Sequence, residues 1–173
     1  IEAKEKNRDS WWLAYVMDIS EDEKDKGKTV EVGRATLETS TKRYTVFDAP
    51  GHKNYVPDMI MGAAMSDIAA LVISARKGEY ESGFERDGQT REHAQLAISL
   101  GVERLIVIVN KMDEDSVNWS KLRYDEIVAG ITPFLLDSCG FKKENISFIP
   151  ISGLTGENIE VIGDKCPWYT GPT

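Results

Sequence analysis

Arg104-Leu-Ile-Val-Ile-Val-Asn-Lys-Met-Asp113 is six residues of strand-like sequence followed by a polar tetrapeptide. The apolar run predicts a buried strand, and the tetrapeptide predicts the loop at its carboxyl end. Open α/β sheets bind ligands outside the carboxyl ends of their strands. The chemistry of Asn110, Lys111 and Asp113 suits a purine there. An Asp carboxylate accepts from both N1–H and the exocyclic amino group of guanine, a pair that adenine does not offer. The Asn amide can reach the purine edge and brace the loop, and the Lys stem can lie across the base.

Two further strand ends carry segments of the same kind. Upstream, Lys42-Arg-Tyr-Thr-Val-Phe47 runs into Asp48-Ala-Pro-Gly51-His52. Asp48 is a candidate for holding Mg²⁺ through water. Gly51, without a Cβ, lets its backbone N–H approach a phosphate. Downstream, Ser147-Phe-Ile-Pro-Ile151 leads into Ser152-Gly-Leu-Thr-Gly156. Ser152, Gly153 and Leu154 can brace the far edge of a base. Each segment alone reads equally well as an ordinary turn. Three in this order, all at strand ends, predict a guanine-nucleotide site.

The order Asp-Ala-Pro-Gly-His, Asn-Lys-Met-Asp, Ser-Gly-Leu resembles the GTP-binding domain of translational GTPases. Gly88-Gln-Thr-Arg-Glu-His93 points to the elongation factor 1-alpha group within them. In that group, Gly27-Lys-Thr-Val-Glu-Val-Gly-Arg-Ala35, Ala75-Arg-Lys-Gly-Glu-Tyr-Glu-Ser-Gly-Phe-Glu85 and Cys166-Pro-Trp-Tyr169 most resemble the GTP-binding subunits of eukaryotic release factors. The resemblance covers essentially the whole chain. It implies a doubly wound, mostly parallel α/β sheet of the GTPase type, and hydrolysis of GTP with Mg²⁺ in the cytoplasm. It also implies the ribosome and a class I peptide chain release factor as partners, and a role coupling stop-codon recognition to peptide release. The resemblance makes Thr29 the switch threonine that completes Mg²⁺ coordination beside Asp48, and makes His52 the catalytic residue that orients the attacking water.

A GTPase of this kind also needs Gly-x-x-x-x-Gly-Lys-Ser/Thr to cradle the phosphates. Gly27-Lys28-Thr29 is not that loop. Asp22 stands where the first glycine belongs, and the triplet follows an acidic run and leads into a strand. Under the resemblance, the phosphate loop, the first strand, the last helix and two β-barrel domains are expected outside residues 1–173. Two other readings stay open: a ribosome-rescue or aminoacyl-tRNA-delivering GTPase of the same group, and a non-catalytic GTPase-like interaction module. Asp58 and Met61 depart from the Asn and Gly that the family carries in the helix following His52.

Composition narrows the classes further. At 173 residues and 41% hydrophobic content, the chain predicts one domain with a substantial core. A net charge of −8 argues against broad electrostatic adhesion to RNA. Cys139 and Cys166 lack zinc-ligand spacing and are expected to be free thiols. His93 and the tryptophans Trp11, Trp12, Trp119 and Trp168 are expected to be structural. The acidic run 21–25 predicts a solvated segment.

The periodicity predicts alternating strands and helices. A strand over 29–38 pairs with one over 42–47. A helix spans 54–65, a fully buried parallel strand 68–75, and an amphipathic helix 90–100 capped by Gly101. A long helix over 119–139 is interrupted at Gly130 and Pro133 and ends at Gly140.

Overall fold

The computed structural model describes residues 32–49, 60, 63–85 and 88–172. Trp11 and Trp12, the acidic run 21–25, most of the helix expected over 54–65, and the positions Asp58 and Met61 lie outside them. The chain divides into two compact units, Ile1–Ser66 and Asp67–Thr173.

In the first unit, β1 (Gly33–Glu38) and β2 (Arg43–Asp48) form an antiparallel hairpin in which Ala35 faces Val46 and Thr36 faces Thr45. The turn is closed by Thr39, whose Oγ1 accepts from the Lys42 amide at 3.0 Å. An ion pair between Glu38 and Arg43 spans the same end. The expected pairing is present, with β1 starting at Gly33. Leu37, Tyr44 and Val46 are exposed, so little of the hairpin's stability comes from burial.

The second unit is a parallel sheet with the order β3-β4-β5, built from Ile68–Ser74, Arg104–Asn110 and Ile146–Pro150. Helices α1 (Glu79–Phe84) and α2 (Gln89–Ser99) connect β3 to β4, and α3 (Lys121–Pro133) connects β4 to β5. This is the βαβ alternation that the sequence predicts. Along β4, Leu105, Val107 and Val109 are buried, while Ile106, Ile108 and Asn110 lie on the half-buried opposite face. The buried set joins Leu71 and Ile73 of β3 with Ile127, Ile131 and Leu135 in one core.

Strand β3 departs from expectation. It is parallel to β4, but it is not fully buried: Leu71 and Ile73 face the core while Ile68 and Val72 are exposed. A continuous apolar run in a sequence does not reveal whether both faces of a strand are covered.

The long helix also differs. It begins at Lys121, with Ser120 as N-cap accepting from the Arg123 amide, while Trp119 lies before it in a left-handed conformation (φ 53°). Gly130 does not interrupt it. A Cβ there would stand 2.6 Å from the Tyr80 hydroxyl, so this glycine makes room for Tyr80 against α3. The change comes at Pro133, whose ring nitrogen cannot donate to the preceding turn. Residues Phe134–Ser138 continue as a π-helical turn, with the Cys139 amide reaching back to Phe134 O at 3.0 Å. Gly140 (φ 84°) and Gly101 (φ 94°) end their helices in the left-handed conformation as expected.

Arg123 ties α3 to the end of β3. It is 5% exposed, donates through Nε to Ala75 O at 2.9 Å and pairs with Glu81 and Glu126. Its guanidinium also lies over the Tyr80 ring, 5.5 Å from the centroid. Trp168 packs on Tyr124 and donates from Nε1 to Trp119 O at 3.0 Å, which gives Trp119 and Trp168 the structural role expected of them. His93 is half-buried on α2, and burial lowers its pKa. Cys139 and Cys166 are free, and burial raises both thiols, which keeps them protonated and unreactive. No helix among the described residues is long and apolar enough to cross a membrane.

Candidate guanine-nucleotide site

The site in the second unit is assembled from the loops after β4 and β5. Strand β4 ends at Asn110, whose carbonyl accepts from the Ala75 amide at 2.8 Å. Its side chain then turns toward its own loop and the next one. Asn110 Oδ1 accepts from the Lys111 amide at 2.7 Å and from the Gly153 amide at 2.9 Å. One carboxamide oxygen thus holds the Asn-Lys-Met-Asp loop against the Ser-Gly-Leu loop. A Cβ on Gly153 would lie 3.4 Å from the Asn110 amide group, an ordinary contact distance that shows how closely the two loops approach.

Backbone bonds reinforce the junction. The Ile151 amide donates to Val109 O at 2.9 Å, and the Met112 amide donates to Ile151 O at 3.2 Å. Met112 is wholly buried and anchors the centre of the tetrapeptide. Lys111 on its amino side has φ 63°, a left-handed conformation costly for a residue with a side chain. The hydrogen bond to Asn110 and the buried Met112 sustain it. Such local strain concentrates at binding sites.

The neighbouring side chains differ in how committed they are. Ser152 is wholly buried and accepts from the Thr155 amide through Oγ at 3.1 Å, so it shapes its own loop. Leu154 is exposed. Asp113 is half-buried, and its carboxylate makes no hydrogen bond or ion pair among the described residues. An uncommitted carboxylate beside a braced loop is suited to receive two donors from a ligand.

Sequence reasoning missed the partner of Lys111. Its Nζ lies 2.7 Å from Glu79 Oε2, the carboxylate of the first residue of α1. Ser74 Oγ donates to the same oxygen at 2.7 Å, and Arg76 pairs with the other at 3.3 Å. The Lys111 and Ser74 hydrogen bonds hold the Glu79 carboxyl down at about 2. No periodicity marks Glu79. Its position just beyond the end of β3, where the sheet's other site loops also begin, was the available signal.

The other expected site residues belong to the first unit. Asp48 is the last residue of β2 and is half-buried. Thr29, Gly51 and His52 lie outside the described residues. No group of three or more metal-ligating side chains occurs among the described residues.

Comparison with known proteins matches these observations. The family profile of the elongation factor Tu GTP binding domain covers residues 1–168. The eukaryotic peptide chain release factor GTP-binding subunit of Kluyveromyces lactis is 55% identical over 99% of this chain and 25% of its own length. That of Schizosaccharomyces pombe is 51% identical over 99% of this chain and 26% of its own length. The chain thus spans about a quarter of the curated relatives it matches. Among solved structures, sup35 complexed with GDP superposes with a TM-score of 0.68 and 44% identity, over 80% of this chain and 32% of that one. The Ski7 GTPase-like domain of S. cerevisiae bound to GTP reaches a TM-score of 0.73 at 23% identity, over 89% of this chain and 35% of that one, a likeness of fold. With an α/β fold of this type, a profile match over nearly its whole length and these relatives, the chain belongs to the elongation factor Tu GTP-binding domain family.

Proposed function

We propose that this chain is the guanine-nucleotide-binding part of a GTPase that acts in translation termination. The observation that carries the reading is the hydrogen-bonded junction of Asn110 with Gly153, beside the uncommitted carboxylate of Asp113. Asp113 accepts the two guanine donors. Asn110 and the Ser152-Gly153-Leu154 loop brace the base, and the Lys111 stem lies across it. The high identity to release factor GTP-binding subunits supports termination over the other translational roles.

Phosphoryl transfer to water depends on positioning and charge stabilisation. Gly51 donates its backbone N–H to the γ-phosphate, and His52 orients the attacking water. Thr29, with Asp48 through water, would hold Mg²⁺, which would supply charge neutralisation at the phosphates. Asp48, at the end of a strand, has the donor chemistry that Mg²⁺ prefers. Loss of the γ-phosphate would remove the contacts assigned to Thr29 and Gly51. The intact protein works in the cytoplasm on the ribosome with a class I release factor, coupling stop-codon recognition to peptide release.

The test is single-turnover hydrolysis of GTP and ATP by the intact protein, with and without ribosomes and the class I factor. GTP-selective hydrolysis stimulated by both partners is expected. Equal use of ATP would defeat the guanine assignment, and stimulation by ribosomes that ignores the class I factor would defeat the termination assignment.

A further inference from the structure

We propose that Glu79 is a positioning residue for the guanine site, holding Lys111 by its ammonium so that the stem is set in place before the nucleotide arrives. The inference rests on the guanine reading of the Asn110–Asp113 loop and extends it to a residue on another element. The two residues are 32 positions apart in sequence and are joined at 2.7 Å. They meet because β3 and β4 are adjacent parallel strands with Ser74 opposite Asn110, so both following loops leave the same end of the sheet.

Glu79 is built to be the fixed member of the pair. Its Oε2 receives the Ser74 hydroxyl as well as Lys111, and its Oε1 faces Arg76. Arg76 is itself held by Glu114, one residue past the tetrapeptide, at 3.2 Å. Lys111 has no second partner for its ammonium among the described residues, and its backbone is already fixed in a left-handed conformation. A lysine has much rotamer freedom to lose, so tethering one end removes much of the ordering cost of laying its stem across a base.

The pair is about half exposed, so the effect is modest: exposed ion pairs change equilibria by roughly twofold to fivefold. The experiment follows release of fluorescent GDP and GTP by stopped flow from the intact protein carrying Glu79→Gln, Lys111→Met or both. Glu79→Gln keeps the shape and the acceptor for Ser74 while removing the charge. It is expected to speed release of both nucleotides by the same factor, roughly twofold to fivefold, and to add nothing in the Lys111→Met background. Unchanged release from Glu79→Gln overturns the proposal. So does equal acceleration in both backgrounds, which would mark Glu79 as merely structural. Acceleration confined to GTP would place its effect at the phosphate end and equally overturn it. Failure of the underlying guanine reading is seen separately, as an Asp113→Asn variant that keeps its preference for GTP over xanthosine triphosphate.

Discussion

The backbone amide of Gly153 donates to Asn110 Oδ1 at 2.9 Å across 43 residues of sequence. That bond converts two strand-end loops into one surface. The same oxygen accepts from Lys111 at 2.7 Å, so a single atom sets both the shape of its own loop and the position of the next.

Asn110→Ala removes both bonds and leaves two amides short of a partner. At about 1 kcal/mol per lost bond, the combined cost is about 2 kcal/mol, or roughly a thirtyfold loss of GDP affinity if the loops separate. Asn110→Asp keeps an acceptor at the same place and is expected to retain most of the thermal stability that the alanine variant loses. Fluorescent GDP titration and thermal unfolding of the two variants provide the check. Wild-type affinity in Asn110→Ala would show that the junction does not support binding.

Asp113→Asn is expected to weaken GTP binding and favour xanthosine triphosphate. An amide has one acceptor where the carboxylate has two, and xanthine presents a carbonyl where guanine has its amino group. Competition between the two nucleotides measures the switch. An unaltered preference for GTP removes Asp113 from the base site.

His52→Ala is expected to leave GTP affinity nearly unchanged while slowing ribosome-stimulated hydrolysis by roughly a hundredfold or more, the pattern of a group that acts in the transition state. Single-turnover hydrolysis with ribosomes and the class I factor, beside a nucleotide titration, separates the two effects. Hydrolysis at the parent rate would reduce His52 to a loop residue. A large loss of affinity would assign it to nucleotide binding instead.

The Glu79 carboxyl is lowered from 4.5 to about 2, first by the Lys111 hydrogen bond and then by Ser74. A depressed carboxyl contributes stability that is complete above its unfolded value and is lost as pH falls through the folded one. The stability difference between the parent and Glu79→Gln is therefore expected to be constant from neutral pH down to about 4.5, then to shrink toward pH 2. The side chain is 40% exposed, so solvent screening keeps the difference small. Urea unfolding of both proteins across that range tests it. A difference that persists unchanged at pH 2 would show that it does not come from the ion pair.

The strand-end chemistry was legible in the chain because it is local. An apolar run followed by Asn110-Lys-Met-Asp113 needs only the side-chain period and the donor pattern of guanine, and the run from Ser147 to Gly156 needs no more. The antiparallel pairing of β1 with β2 and the glycine stops at Gly101 and Gly140 are equally local. What the sequence left undetermined depends on which surfaces meet. Which face of β3 is covered is decided by packing, with Leu71 and Ile73 in the core and Ile68 and Val72 exposed, and the passage of α3 through Gly130 follows from the approach of Tyr80. The site itself divides the same way. Residue type made Asn110 and Asp113 candidates, but only the tertiary structure brought Gly153 onto Asn110 and Glu79 onto Lys111. Those contacts join residues tens of positions apart, and the parallel packing of β3, β4 and β5 determines which loop ends become neighbours.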